Sequence, residues 1–365
     1  MCGIVAYLGG SPALPALLDG LEQLEYRGYD STGIALVPPG DAPLVRYRAA
    51  GRLQALRDAI GPDGEPHAAQ LGIGHTRWAT HGAPTAENAH PHVDCTGDIA
   101  VVHNGIIDNA AALRAELTAA GHTCTTEVDT EVIAHLLEQQ FGTATRTPQA
   151  LVAAIASVAT RLEGSWALAV VVRGLPEIAV SSHRSPLLLA ADASGDTVMA
   201  ASDLLGLAPD LHDVREIADG AIVTLGRRIR WYDQHGRSVP APRPLPVVQR
   251  SRLVPLQGAE DFTGREITEQ PAVAQQLIET FTGRLAHGRL LDDLGVATPT
   301  RIRLVACGSS AYAAQVIARM ITTLAKIPAT VTTASEPGYD PDIPGTLTIA
   351  FSQSGETADI LTALD

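Results

Sequence analysis

The sequence predicts a multi-domain α/β protein: two packed sheets flanked by helices in front, and the start of an open parallel sheet behind. Three observations carry this. The chain has 365 residues, long for a single core, so two or three domains are expected. From Gly3 to Leu225 short apolar runs predominate, with a few amphipathic helices among them. After Ser238–Leu256, a stretch with five prolines that reads as an extended connector, the rhythm changes to strand–turn–helix alternation.

Taken in order, Gly3–Leu8 is short and apolar, as a buried strand is. Pro15–Tyr26 carries Leu17, Leu18, Leu21 and Leu24 on one helical face. Strands are expected at Gly33–Val37, Leu71–His75 and Ile99–Asn104. Helices fit Ala110–Ala120, Asp129–Gln140 and Pro148–Leu162, and strands Trp166–Val172, Ile178–Ser182, Thr197–Ala201 and Ala221–Leu225. Behind the connector, Gly264–Leu285 reads as helical in pieces. Then come strand Arg301–Ala306, turn Cys307–Ser310, helix Ala311–Ala325, strands Ala329–Thr333 and Thr346–Phe351, turn Ser352–Gly355 and helix Glu356–Leu364. The domains are thus expected at 2–237 and 258–365, with 238–257 as linker.

Hydrophobic residues make up 45% and charged residues 18%, an ordinary globular composition. The net charge of −14 provides no basic face for a nucleic-acid backbone, though a small anionic substrate needs only a local pocket. Met1–Gly10 has no Lys or Arg, and runs such as Trp166–Val172 fall far short of the ~20 apolar residues a membrane helix needs. None of the four cysteines, Cys2, Cys95, Cys124 and Cys307, is spaced from another as metal ligands are. Together these point to a cytoplasmic protein with reduced thiols, no nucleic acid and no membrane.

Cys2 follows the initiator Met. On position alone it reads as a small residue opening a strand. Removal of Met1, however, leaves a thiol and a free α-amine on one residue, and an α-amine titrating near ~8 can act as a general base. Three clusters favour that chemistry. His75-Thr76-Arg77-Trp78-Ala79-Thr80-His81-Gly82 places an arginine, a fork for a carboxylate, at a strand end. In His103-Asn104-Gly105 a side-chain amide and a following backbone N–H can aim at one oxyanion. Glu127-Val128-Asp129-Thr130-Glu131 puts carboxylates at a helix start, where one can hold an ammonium group. Thiolate, oxyanion hole, carboxylate fork and ammonium partner together describe glutamine hydrolysis through a thioester.

Five of the twelve histidines lie between His75 and His103. His90 and His92 invite a metal reading, but a metal site needs about four converging ligands. Structural hydrogen bonding is the expectation, with no metal and no cofactor. At the back, Cys307-Gly308-Ser309-Ser310 and Ser352-Gln353-Ser354-Gly355-Glu356-Thr357 each leave a strand and open a helix, where unpaired N–H groups and hydroxyls can cradle a phosphate.

These motifs resemble the isomerising glutamine–fructose-6-phosphate aminotransferases, or glucosamine-6-phosphate synthases. The resemblance rests on Cys2-Gly3-Ile4-Val5, Leu24-Glu25-Tyr26-Arg27-Gly28-Tyr29-Asp30-Ser31, the His75–Gly82 run, Asn88-Ala89-His90-Pro91-His92 and Val102-His103-Asn104-Gly105-Ile106. It implies an N-terminal-nucleophile hydrolase αββα sandwich followed by an incomplete, Rossmann-like sugar isomerase (SIS) domain. It assigns Cys2 as nucleophile with its α-amine as base, and Asn104 and Gly105 as oxyanion hole. Arg77 and Asp129 match the groups for the glutamine carboxylate and ammonium. Thr80, His81 and Gly82 match the covering loop, and Trp78, Arg27 and Tyr29 the ammonia gate. Ser309, Ser310, Ser352, Gln353, Ser354 and Thr357 match phosphosugar-binding positions, with Ser309 where the family has Thr.

The implied reaction passes ammonia to fructose 6-phosphate, giving glucosamine 6-phosphate and glutamate, in an enzyme that is dimeric when complete. The chain stops inside a helix after three strands of the last sheet, so a fragment, a split gene or a partner-dependent subunit is expected. Two alternatives stay open: a stand-alone or split glutaminase feeding another phosphosugar or cyclitol, and a non-catalytic phosphosugar-binding fragment.

Overall fold

A computed structural model describes residues 2–61, 68–79, 82–142, 146–245, 262–286, 298–336, 343–352 and 357–364. The chain divides into two compact units, Met1–Val254 and Pro255–Asp365.

The first unit begins β1 (Gly3–Leu8), α1 (Ala13–Leu24), β2 (Ser31–Val37), β3 (Val45–Ala50), α2 (Leu53–Ile60), β4 (Leu71–Arg77), β5 (His92–Val93) and β6 (Ile99–Ile107). Helices α3 (Ala110–Ala119), α4 (Thr130–Phe141) and α5 (Pro148–Ala159) follow. It ends with β7 (Gly164–Val172), β8 (Ile178–His183), β9 (Leu188–Ala191), β10 (Val198–Ala201), β11 (Arg215–Glu216), β12 (Ile222–Leu225), β13 (Arg230–Tyr232) and β14 (Ser238–Val239). Two antiparallel sheets result, β11-β9-β10-β1-β4-β2-β3 and β14-β13-β12-β8-β7-β6-β5. The second runs two residues into the proline-rich stretch.

Alternation along the strands decides the layers, because successive side chains point to opposite faces. In β1, Ile4 and Ala6 join the core between the sheets, while Val5 and Tyr7 pack with Leu17, Leu21 and Leu24 of α1. In β6, Ala100 and Val102 face the other sheet, while Ile99 and Val101 pack with Val132, Leu136 and Leu151 of α4 and α5. The layer order is helix, sheet, sheet, helix, as expected. Alanine supplies much of the intersheet layer, including Ala6, Ala35, Ala100, Ala167, Ala169 and Ala200, so truncation there has little to remove. Larger buried side chains such as Ile73 and Leu136 are fully covered, and shortening either to Ala costs about 2–5 kcal/mol.

In the second unit, α6 (Phe262–Ala286) precedes β15 (Arg301–Ala306), α7 (Gly308–Met320), β16 (Ala329–Thr333), β17 (Thr346–Phe351) and α8 (Ala358–Leu364). The three strands are parallel in the order β16-β15-β17. One expectation is corrected here. Gly264–Leu285 is not helical in pieces but lies within one 25-residue helix that runs through Pro271. Proline removes one N–H and crowds the preceding turn, but it leaves the rest of the ladder able to form. After α7 a π-helical turn spans Ile321–Ala325 and ends at left-handed Lys326.

Candidate active site

Strand pairing brings the front-end motifs together. Gly3 of β1 pairs with Thr76 of β4, so Cys2 emerges where β4 ends at Arg77 and the chain turns to Trp78. The Trp78 backbone N–H donates to Cys2 Sγ at 3.3 Å, and the thiol faces the Trp78 carbonyl at 3.5 Å. From the other sheet, Asn104 Nδ2 donates to the Cys2 carbonyl at 3.0 Å. Cys2, Arg77, Trp78, His90, His103, Gly105, Val128, Asp129 and Thr130 line one small cavity.

Each polar group in this cavity is held from behind. Asp129, just ahead of α4, is buried, and its Oδ2 accepts from the Ile107 N–H at 2.9 Å. Arg77 is buried and donates to the carbonyls of Gly82 and Ala83, both at 3.3 Å. Burial draws its pKa below the ordinary arginine value, against the fields of Cys2, Asp129 and Asp30. Burial also pushes the Cys2 thiol up, opposed by the Trp78 N–H and by the positive charges of the chain terminus, Arg77 and Arg27.

Gly105 has φ +128°, and a Cβ there would stand 2.0 Å from the Ser165 carbonyl oxygen. No other residue type fits without moving β6 from β7. Asn104 is oriented by His75, whose Nε2 lies 3.0 Å from both Asn104 Oδ1 and the His103 carbonyl. Two acceptors on one ring nitrogen assign the proton to it.

The other histidines form a directional chain. The His103 N–H donates to His90 Nδ1 at 3.2 Å, which leaves the His90 proton on Nε2, facing Thr130 Oγ1 at 3.4 Å. Thr130 Oγ1 in turn lies 2.9 Å from His103 Nδ1. His75 stacks on His90 at 4.1 Å between centroids, and His92 meets His90 edge-on. Burial lowers the pKa values of His75 and His92 to about 3, and holds those of His90 and His103 below the usual imidazole range. These rings are neutral structural parts.

A pH effect follows from those shifts. The unfolded chain takes up protons on these histidines below about pH 6.5 and the folded chain does not, so stability is present above that pH and is lost as pH falls toward 3. At pH 5.5, His75 and His92 should each remove roughly 1–1.5 kcal/mol relative to pH 7.5. Denaturant midpoints at the two pH values check this; an unchanged midpoint would rule out neutral buried histidines.

Other expected site residues fall nearby. Trp78 is 44% exposed and meets the Tyr29 ring edge-on at 5.5 Å. Arg27 is buried, with an ion pair to Asp203 at 2.9 Å that Tyr26 OH also joins. Asp203 and His75 received no role from the sequence; Asp203 lies 176 residues from Arg27, and no motif links them. Gly82 has φ +76°, whereas Thr80 and His81 lie outside the described residues.

In the second unit Ser309 and Ser310 occupy the first turn of α7, directly after β15. Ser352 follows β17, with its Oγ 2.9 Å from Thr357 Oγ1. Gln353 and Ser354 lie outside the described residues. Because β15 is central, Ser309 and Ser310 on one side and Ser352 on the other follow neighbouring strands at the point where strand order reverses, a common ligand position in open parallel sheets.

A glutamine amidotransferase domain model matches residues 75–209, and a SIS domain model matches 296–365. Proteins named glutamine–fructose-6-phosphate aminotransferase [isomerizing] are similar over the whole chain: 38% identical in Zymomonas mobilis, 41% in Caulobacter vibrioides and 39% in Streptomyces coelicolor. The chain spans 59% of the length of each. Among solved structures, a glutamine phosphoribosylpyrophosphate amidotransferase from B. subtilis matches with TM-score 0.55 and 21% identity, covering 90% of this chain and 65% of that one. An allosteric regulatory enzyme of purine biosynthesis has the same TM-score at 23% identity, covering 64% of this chain and 49% of that one. Those two likenesses concern fold alone and agree with the two-sheet, helix-flanked first unit. The chain is thus similar along all of its length to the isomerizing glutamine–fructose-6-phosphate aminotransferases, and it carries a glutamine amidotransferase domain and SIS sequence.

Proposed function

We propose that this chain hydrolyses glutamine at Cys2 and that the ammonia is destined for fructose 6-phosphate. The observation that carries the reading is one cavity holding a thiol, a buried arginine, a buried aspartate and Gly105 of β6, with the neighbouring Asn104 bonded to the Cys2 carbonyl. Arg77 would take the α-carboxylate and Asp129 the α-ammonium, which leaves the side-chain amide at Cys2 Sγ. The thiolate attacks that carbonyl, with the Cys2 α-amine taking the thiol proton once Met1 is removed. Asn104 Nδ2 and the Gly105 N–H would receive the oxyanion. Collapse expels ammonia, the amine returning the proton, and water releases glutamate from the thioester. Trp78, with Tyr29 against it and Arg27 behind, would gate the ammonia. Gly82, Thr80 and His81 would cover the glutamine.

On the acceptor side, Ser309, Ser310, Ser352, Gln353, Ser354 and Thr357 would bind the phosphosugar. The positions of Ser309, Ser310 and Ser352 after neighbouring strands at the switch point support this, as do the printed names of the relatives. The same reading takes 2–237 as the glutaminase, 238–257 as linker and 258–365 as part of the SIS domain, in a cytoplasmic homodimer without nucleic acid or membrane. No described helix is long and apolar enough to cross a membrane.

The test is intact mass before and after treatment with an electrophilic glutamine analogue. Loss of Met1 and a single adduct on Cys2 are expected, together with glutamate release. A folded, Met1-free chain that neither takes the label nor releases glutamate would sink the proposal.

A further inference from the structure

Away from that cavity, four side chains of metal-binding type converge. One ligand atom each from Cys95, His122, His135 and Glu138 lies within 4.8 Å of all the others. They come from three stretches of chain: Cys95 from the turn between β5 and β6, His122 from the segment between α3 and α4, and His135 with Glu138 from one face of α4. Cys95 Sγ stands 3.4 Å from His135 Nδ1 and 3.6 Å from His122 Nδ1. Glu138 Oε2 stands 3.0 Å from His122 Nδ1 and 3.3 Å from His135 Nδ1.

We propose that these four residues form a zinc site. A tetrahedral zinc, with bonds of about 2.3 Å to sulfur and about 2.0–2.1 Å to nitrogen and oxygen, sets S···N near about 3.6 Å and N···O near about 3.3 Å. The observed separations depart from those by no more than about 0.3 Å. Each Nδ1 faces both the sulfur and the same carboxylate oxygen. One proton per ring cannot serve both directions, whereas a cation at the centre serves all four contacts.

The charges also suit. Thiolate and carboxylate neutralise Zn²⁺, and the two imidazoles bind uncharged, so binding releases the Cys95 proton to solvent. Behind His135, its Nε2 faces Glu131 Oε1 at 3.9 Å. Glu131 is fixed by the backbone N–H and hydroxyl groups of Thr125 and Thr126 at 2.7–2.9 Å. At 3.9 Å the contact between His135 and Glu131 is electrostatic and not a hydrogen bond.

Four protein ligands make this a closed, structural site. It would tie α4, which begins beside Asp129, to the turn that leads into the Asn104–Gly105 strand. Zinc binding does not depend on the glutaminase reading.

The test titrates zinc alone into chelator-stripped, reduced full-length chain against a chromophoric competitor. One zinc per chain with a dissociation constant below about 1 µM is expected. Cys95→Ser and His122→Ala should each weaken binding at least about 100-fold, while Cys2→Ala and Cys124→Ser should not. Cobalt in the same site should show a sulfur charge-transfer band that Cys95→Ser removes. A folded wild-type chain that binds no zinc, or a loss confined to Cys124→Ser, would overturn the assignment.

Discussion

Cys2→Ala should lower glutamate release from glutamine by at least about 10⁴-fold, because removing the proposed nucleophile leaves only binding and the proposed oxyanion donors to accelerate hydrolysis. Cys2 is where the hydrogen bonds of two sheets meet: its sulfur accepts from the Trp78 N–H at 3.3 Å and its carbonyl from Asn104 at 3.0 Å. Alanine preserves the backbone half of that arrangement. Glutamine affinity should therefore stay within about threefold, since Arg77 and Asp129 are untouched. The thiol is raised by burial, so little thiolate exists at neutral pH and a base must take the proton during attack. Blocking Met1 removal should then depress the rate while sparing glutamine binding. Stopped assays of glutamate, with affinity measured separately, decide it. A Cys2→Ala rate within tenfold of wild type would remove Cys2 from the reaction.

Much of the front unit was legible because its signals are local. Gly3–Leu8 is a strand with the bounds its apolar run suggests, and Asp129–Gln140 is found as Thr130–Phe141. The elements that escaped notice have weak or mixed signals. β3 reads Val-Arg-Tyr-Arg-Ala-Ala, an edge strand whose arginines hide its alternation, and α2 has only eight residues. β9, β11 and β13 have two to four residues each, below what periodicity can resolve. The helix through Pro271 shows the opposite failure, a local signal overridden by its neighbours. The same division holds for function. Arg77, Asn104, Gly105 and Asp129 sit in compact motifs. Asp203 behind Arg27, and the Cys95–His122–His135–Glu138 cluster, exist only once distant segments are folded together. Cys95 and Glu138 are 43 positions apart, and no spacing rule relates them to His122.

Gly105→Ala is expected to cost about 10²–10³ in kcat, with a much smaller change in KM. At φ +128° the residue holds a conformation that L side chains rarely adopt, and the added methyl would meet the Ser165 oxygen at 2.0 Å, the Ser165 carbon at 2.7 Å and His103 Nε2 at 3.0 Å. Two of those contacts are backbone of β7, where Gly105 pairs with Trp166. Relief must come from β6 moving outward, which carries the Gly105 N–H away from the oxyanion position proposed for it. The strain should also lower stability by about 1–3 kcal/mol, so kcat is to be measured well below the melting midpoint. Asn104→Ala should give a loss of similar size, since it deletes the other proposed donor and leaves His75 Nε2 with the His103 carbonyl alone. Two donors to one oxyanion act as a unit, so the double variant should lose less than the product of the single losses. If Gly105→Ala kept kcat within threefold while losing stability, the glycine would be a packing requirement of the β6–β7 pair and the oxyanion would need another donor.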